Sequence, residues 1–131
     1  QAKHLRTLVA RLRTRSAAIA PLLRARLDER LTVLLGGRGI EPARLAQEAA
    51  ILAERADVSE EIVRLGSHLD ALVGLVKETA PVGKRIEFLL QEINRELNTI
   101  GSKAGDLEIT NLVIAGKSAV EKIREQVQNV E

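Results

Sequence analysis

Three groups of polar side chains in this chain stand at helical spacings that could do chemistry. In "SEEIVRLGSHL", Glu61, Arg64 and His68 fall at i, i+3 and i+7, which would put a carboxylate, a guanidinium and an imidazole on one helix face. In "LLQEINREL", Glu92 and Glu96 are one helical turn apart, as are Gln91 and Arg95. Towards the end, Lys117, Glu121, Glu125 and Gln128 form a ladder with Arg124 beside it. Carboxylate pairs with a histidine suit a hard divalent cation, since Mg²⁺ or Mn²⁺ prefers oxygen donors and accepts imidazole. The same spacings also make ordinary surface ion pairs, Glu60 with Arg64 for example, each contributing about a few tenths of a kcal/mol. By spacing alone the surface pairs are the simpler account, and both readings stay open. Of the two histidines, His4 lies in a basic stretch; His68 is the one in the body whose ordinary pKa permits proton transfer near neutral pH.

Other chemistries find no support. Cysteine is absent, so disulfides and thiolate metal sites are excluded, and a reducing cytoplasm fits. "GGRG" at 36–39 lacks both the Lys-Ser/Thr pair and the preceding strand of a phosphate loop, so no nucleotide cofactor is expected. Without a strand to present a nucleophile, Ser-His-Asp chemistry has no frame. Phe88 is the sole aromatic residue, which weakens any base-stacking platform.

The elements that must position these groups are helices. Apolar residues make up 45% of 131 residues and are almost all aliphatic, a composition for packed helices around one core. Leu5, Leu8, Val9, Leu12, Ile19, Leu23, Leu27, Leu31 and Leu34 lie near one stripe of a helix over 3–35, which Pro21 should kink or divide. "GGRG" stops it, and Pro42 sits at a first helical position, opening a helix over 42–56. Asp57 with Glu60 offers a capping-box-like start for the next helix; "TAPVG" at 79–83 is a turn. Ile86, Leu89, Leu90, Ile93, Leu97 and Ile100 form the stripe of a helix over about 84–100, and "GSKAGD" at 101–106 reads as a loop. The last helix, about 108–129, packs antiparallel on it through a short connection. Its Ile109, Val113, Val120, Ile123 and Val127 make a coiled-coil-like seam that one chain would leave uncovered, so self-association is expected. The fold class is all-α: long amphipathic helices in a bundle or hairpin arrangement, oligomerising.

Charge divides the chain. Residues 1–38 hold nine Lys or Arg against Asp28 and Glu29, a net of +7, and the remainder holds eleven against sixteen, a net of −5. A basic helical arm or linker over 1–56 and a helical domain over 57–131 follow, with either a polyanion or the acidic body of a neighbouring subunit as the arm's partner. No apolar run reaches a membrane span, and Arg24 and Arg26 cut short the seven apolar residues from Ala17 to Leu23, so neither a membrane nor a secretory signal is expected. A first residue of Gln suggests a fragment or a processed product.

"EEIVRLGSHL", "GKRIEFLLQEINRELNTIGSK" and the closing "KSAVEKIREQVQNVE" closely resemble the C-terminal region of the YicC/YloC family of bacterial proteins, over about 57–131. The resemblance implies a metal-dependent endoribonuclease, hydrolysing RNA phosphodiester bonds with Mn²⁺ or Mg²⁺. It also implies ring-like homo-oligomers, hexamers, that hold RNA inside, in the cytoplasm. The amides, hydroxyls and arginines of 84–103 would then grip RNA, and the carboxylates a metal. The resemblance does not single out the catalytic groups among its motif residues; the expectation is His68, Glu92 and Glu96 as catalytic, the same three with Glu121 and Glu125 as metal ligands, and Arg64, Arg85, Arg95, Asn98, Lys103, Arg124 and the N-terminal arginines as RNA contacts. The alternative is a non-catalytic oligomerisation or RNA-binding module, its polar stripes serving as intersubunit networks. Leu97, Gly105 and Gly116 depart from the expected pattern and should affect packing rather than chemistry.

Overall fold

The computed structural model describes residues 1–34, 41–77 and 82–130. Five helices account for nearly all of them: α1 (Ala2–Leu34), α2 (Pro42–Ala56), α3 (Ser59–Val76), α4 (Gly83–Ala104) and α5 (Leu107–Val130). There is no strand among the described residues. The "GGRG" stop and most of the "TAPVG" turn lie outside them.

α1, α3, α4 and α5 form a four-helix bundle in which each helix packs on two neighbours, in that cyclic order. Neighbours run antiparallel. Arg6 of α1 meets Asp70 near the end of α3, Glu61 of α3 meets Lys103 near the end of α4, and Glu87 of α4 meets Arg124 near the end of α5. The core is aliphatic from end to end, with Leu5, Leu12, Leu65, Leu72, Leu90, Ile93, Leu97, Ile100, Ile109 and Val120 almost wholly buried. Residues 1–56, distinct in charge from the rest, contribute Leu5, Leu8, Val9 and Leu12 to this same core.

Beyond Ile19, α1 leaves the bundle and α2 packs back along it, so the two form a helical hairpin. α1 is continuous through Pro21 rather than divided. Pro21 and its neighbours Ala17, Ala18, Ala20 and Leu22 are exposed, so water can take over the carbonyl that the missing N–H leaves without a partner. Pro42 opens α2 as expected. The chain does break between α2 and α3. Asp57 is extended and its carboxylate accepts the Ser59 N–H and hydroxyl, an Asx turn rather than a capping box with Glu60.

Two expectations are corrected. α4 runs on through "GSKA" to Ala104 and ends at Gly105, whose φ of 58° is the left-handed C-terminal conformation that glycine adopts without strain. Gly101 is not a loop residue: it lies inside the helix against Val113, where a Cβ would come within 3.3 Å of Cγ1. The seam on α5 is not left uncovered either. Ile109, Val113, Val120 and Ile123 are buried in this chain's own core, so self-association cannot rest on them.

Candidate functional site

Glu61 and Glu96 are the two buried charged residues among those described, and both face the seam between α3 and α4. Arg64 Nε donates to Glu96 Oε1 at 2.9 Å, and its Nη2 lies 3.4 Å from Glu61 Oε1. Lys103 Nζ donates to the same Glu61 carboxylate at 3.3 and 3.5 Å, while Glu60 approaches Arg64 Nη1 from the rim at 3.6 Å. A carboxylate withdrawn from water is tolerated only with charge and hydrogen bonds close by, and two cations shared between two glutamates supply both. The bond to Glu96 in turn holds the Arg64 guanidinium more firmly protonated.

His68 follows one turn after Arg64. The antiparallel register that pairs Arg64 with Glu96 sets His68 opposite Glu92. Both are half-buried, and no ion pair ties either of them among the described residues. The seam thus carries the Glu61–Lys103 and Arg64–Glu96 pairs, and the register brings His68 and Glu92 to the next level with no hydrogen bond or ion pair between them. The three residues expected to be catalytic share this seam, with Glu96 already committed to Arg64.

Glu121 and Glu125 lie elsewhere, exposed on α5. Glu121 pairs with Arg124, whose Nε also donates to Glu87 at 3.0 and 3.3 Å across the α4–α5 edge. Among the described residues no three His, Asp or Glu side chains come together as one chain's metal site. The five expected ligands are divided between opposite edges of α4.

A further ion-pair cluster closes the end of the bundle. Arg15 donates from Nε and Nη2 to the two Asp106 oxygens at 3.0 and 2.9 Å and lies 3.2 Å from Glu108. Asp106 also caps α5, accepting the Ile109 N–H at 3.1 Å. The Arg15 hydrogen bonds, more than any other influence, hold the Asp106 carboxyl below its ordinary value.

Of the residues expected to touch RNA, Arg64, Lys103 and Arg124 are engaged by carboxylates, whereas Arg85, Arg95 and Asn98 are exposed on α4. In the N-terminal arm Arg6 and Arg15 are paired, while Arg11, Arg13, Arg24, Arg26 and Arg30 are exposed without ion pairs among the described residues. Sequence reasoning missed Glu87 and Asp106 as partners. Their spacing from Arg124 and Arg15 is visible only after the helices are paired. It also gave no role to Phe88, although that residue lies off the apolar stripe of its helix.

Residues 12–131 match the family model described as endoribonuclease YicC-like, C-terminal. A Clostridioides difficile protein named "probable endoribonuclease YicC" is 47% identical over 117 residues, covering 88% of this chain and 40% of that protein. One of the same name from Haemophilus influenzae is 40% identical over 92 residues, covering 70% of this chain and 32% of its own length. The chain therefore spans well under half the length of these relatives.

Proposed function

Since this chain belongs to the endoribonuclease YicC-like C-terminal family, we propose that it is the helical part of an endoribonuclease that cleaves RNA phosphodiester bonds. The observation that carries this reading is the extent of the match, which takes in α2, α3, α4, α5 and most of α1 and so the whole α3–α4 seam that carries His68 and Glu92. Cleaving a phosphodiester requires a group to take a proton from the attacking oxygen and cationic groups to offset charge on the phosphate. His68 is the residue for proton transfer, and Glu92, not bound by a cation, is the carboxylate available to orient it. Glu96 is a positioning residue on this reading: it holds Arg64 at the level next to His68.

The five expected ligands do not come together as a metal site within one chain among the described residues. A requirement for Mn²⁺ or Mg²⁺ belongs to the proposal only with donors from a second copy or from the part of the relatives that this chain does not span. Assembly into a ring and a cytoplasmic location belong to the same proposal. No helix among the described residues is long and apolar enough to cross a membrane.

The second reading, a scaffold without catalytic residues of its own, is favoured by one observation. Leu22 and Val33 of α1 and Ile51 of α2 are exposed on the hairpin outside the bundle, apolar surface suited to a neighbouring copy. Cleavage of a labelled RNA by the intact protein, with each cation and with chelator, decides between the two. The nuclease reading expects His68→Ala and Glu92→Gln to abolish cleavage with assembly unchanged. The scaffold reading expects both variants to cleave normally and Leu22→Lys with Val33→Lys to lose assembly and cleavage together. Wild-type protein that cuts no RNA under any of these conditions refutes the nuclease reading.

A further inference from the structure

α4 exposes seven residues between its first turn and its last: Lys84, Arg85, Phe88, Gln91, Arg95, Asn98 and Ser102. Six of them, all but Arg85, recur at intervals of four and three, so they form one straight row along the outside of the helix. At 1.5 Å per residue the row is about 27 Å long. It contains no carboxylate, although α4 has three glutamates and the chain beyond residue 38 is acidic. Glu96 is buried against Arg64, Glu87 is drawn to Arg124, and Glu92 is half-buried on the side towards α3. Of the acids on the flanking helices, Glu60 and Glu121 are each paired with an arginine. Lys84, Arg85 and Arg95 have no ion pair among the described residues.

One turn into this row stands the chain's one aromatic residue. Phe88 is 60% exposed while the core is filled entirely by aliphatic side chains. Packing does not account for it. A phenyl ring flanked along a helix by cations and amides has what an unpaired nucleotide strand needs: a face for a base, charges for phosphates, and donors for 2′-hydroxyls and base edges. A helical duplex keeps its bases stacked and offers the ring nothing. A coiled-coil partner would require apolar residues throughout the row, and five of the six positions are polar.

We propose that the outer face of α4 is a seat for single-stranded RNA, with Phe88 stacking on one base and Lys84, Arg85 and Arg95 following the backbone. This rests on the RNA-directed reading above and gives it a strand type and a surface away from the His68 seam. The test uses the intact protein and a fluorescein-labelled oligouridylate, followed by anisotropy, with a duplex RNA for comparison. Phe88→Leu keeps an apolar side chain but removes the ring, and should weaken single-strand binding about tenfold, leaving duplex binding and the salt slope unchanged. Replacing Lys84, Arg85 and Arg95 with Gln should lower the log–log salt slope by about 2, at roughly 0.7 per phosphate contact. Phe88→Trp places an indole in the row, and RNA should quench the emission that this substitution adds over wild type, with the midpoint seen by anisotropy.

RNA that binds without quenching this indole, and binds Phe88→Leu as well as wild type, would overturn the proposal and leave the endoribonuclease reading standing. A wild-type protein that binds no RNA would remove both. Emission that shifts with protein concentration alone, before RNA is added, would assign the face to a second copy and also overturn it.

Discussion

Gly116 lies on α5 against Leu97 of α4, and a side chain there would crowd that leucine. A Cβ there would meet Leu97 Cδ1 at 3.1 Å and Cδ2 at 3.2 Å. These are the ends of a side chain that could swing away on a surface, but Leu97 is only 2% exposed. Overpacking of this kind costs about 1–3 kcal/mol, against about 1 kcal/mol gained by replacing a helical glycine with alanine. At Gly74, in α3, a Cβ would have no neighbouring atom within 4 Å, so Gly74→Ala should keep the gain, reduced somewhat because the helix ends at Val76. The two variants should differ by about 2 kcal/mol, or about 8 °C in Tm at this chain length, with Gly74→Ala the more stable. Urea denaturation followed by circular dichroism measures it directly. Leu97→Ala should cost less on the Gly116→Ala background than on wild type, because the new methyl fills part of the space vacated. Equal stabilisation by both alanines, or additive losses in the double variant, would refute the argument that Gly116 exists to let the helices approach.

The remaining expectations concern charge and chemistry. Asp106, held below its ordinary value chiefly by Arg15, stabilises the fold fully above the usual 3.8 and loses that contribution as pH falls through its lowered folded value; Arg15→Gln should flatten the acid limb of a stability–pH profile. Glu96→Gln should shift unfolding to lower denaturant and reduce cleavage in part, because Arg64 stays tethered by Glu60 and Glu61; complete loss of cleavage with unchanged stability would make Glu96 catalytic instead. Replacing Arg11, Arg13 and Arg24 with Gln should lower the salt slope of RNA binding, read by anisotropy, whereas Arg15→Gln should not, its guanidinium being occupied by Asp106.

The sequence shows far more of the fold than of the site, for a reason that the helices themselves supply. Ile86, Leu90, Ile93, Leu97 and Ile100 reveal α4's buried face because burial repeats at the helical period, and each turn repeats the message. Gly101 carries no such redundancy: a glycine in a string with serine and another glycine reads as a loop until the helix opposite is placed and Val113 fills the space where a side chain would be. The seam on α5 misled in the opposite sense. Its spacing of four and three showed a contact surface correctly, but periodicity cannot say whether the surface across it belongs to the same chain.

The polar residues sharpen this distinction. Glu92 and Glu96 are alike in sequence, one turn apart in the same motif, and any pattern that selects one selects the other. What separates them is the neighbouring helix: Arg64 is bonded to Glu96, so that carboxylate is neutralised by a permanent cation, whereas Glu92, one turn away at the level of His68, has no ion pair among the described residues. Motif residues in this family region therefore divide by partner rather than by type. Arg64, Lys103 and Arg124 hold helices together, while Lys84, Arg85 and Arg95 on the outside of α4 remain available to a ligand. A substitution that treats all six cations as equivalent would confound stability with binding. Gln at the first three should loosen the bundle, and Gln at the second three should leave its unfolding midpoint unchanged while RNA affinity falls.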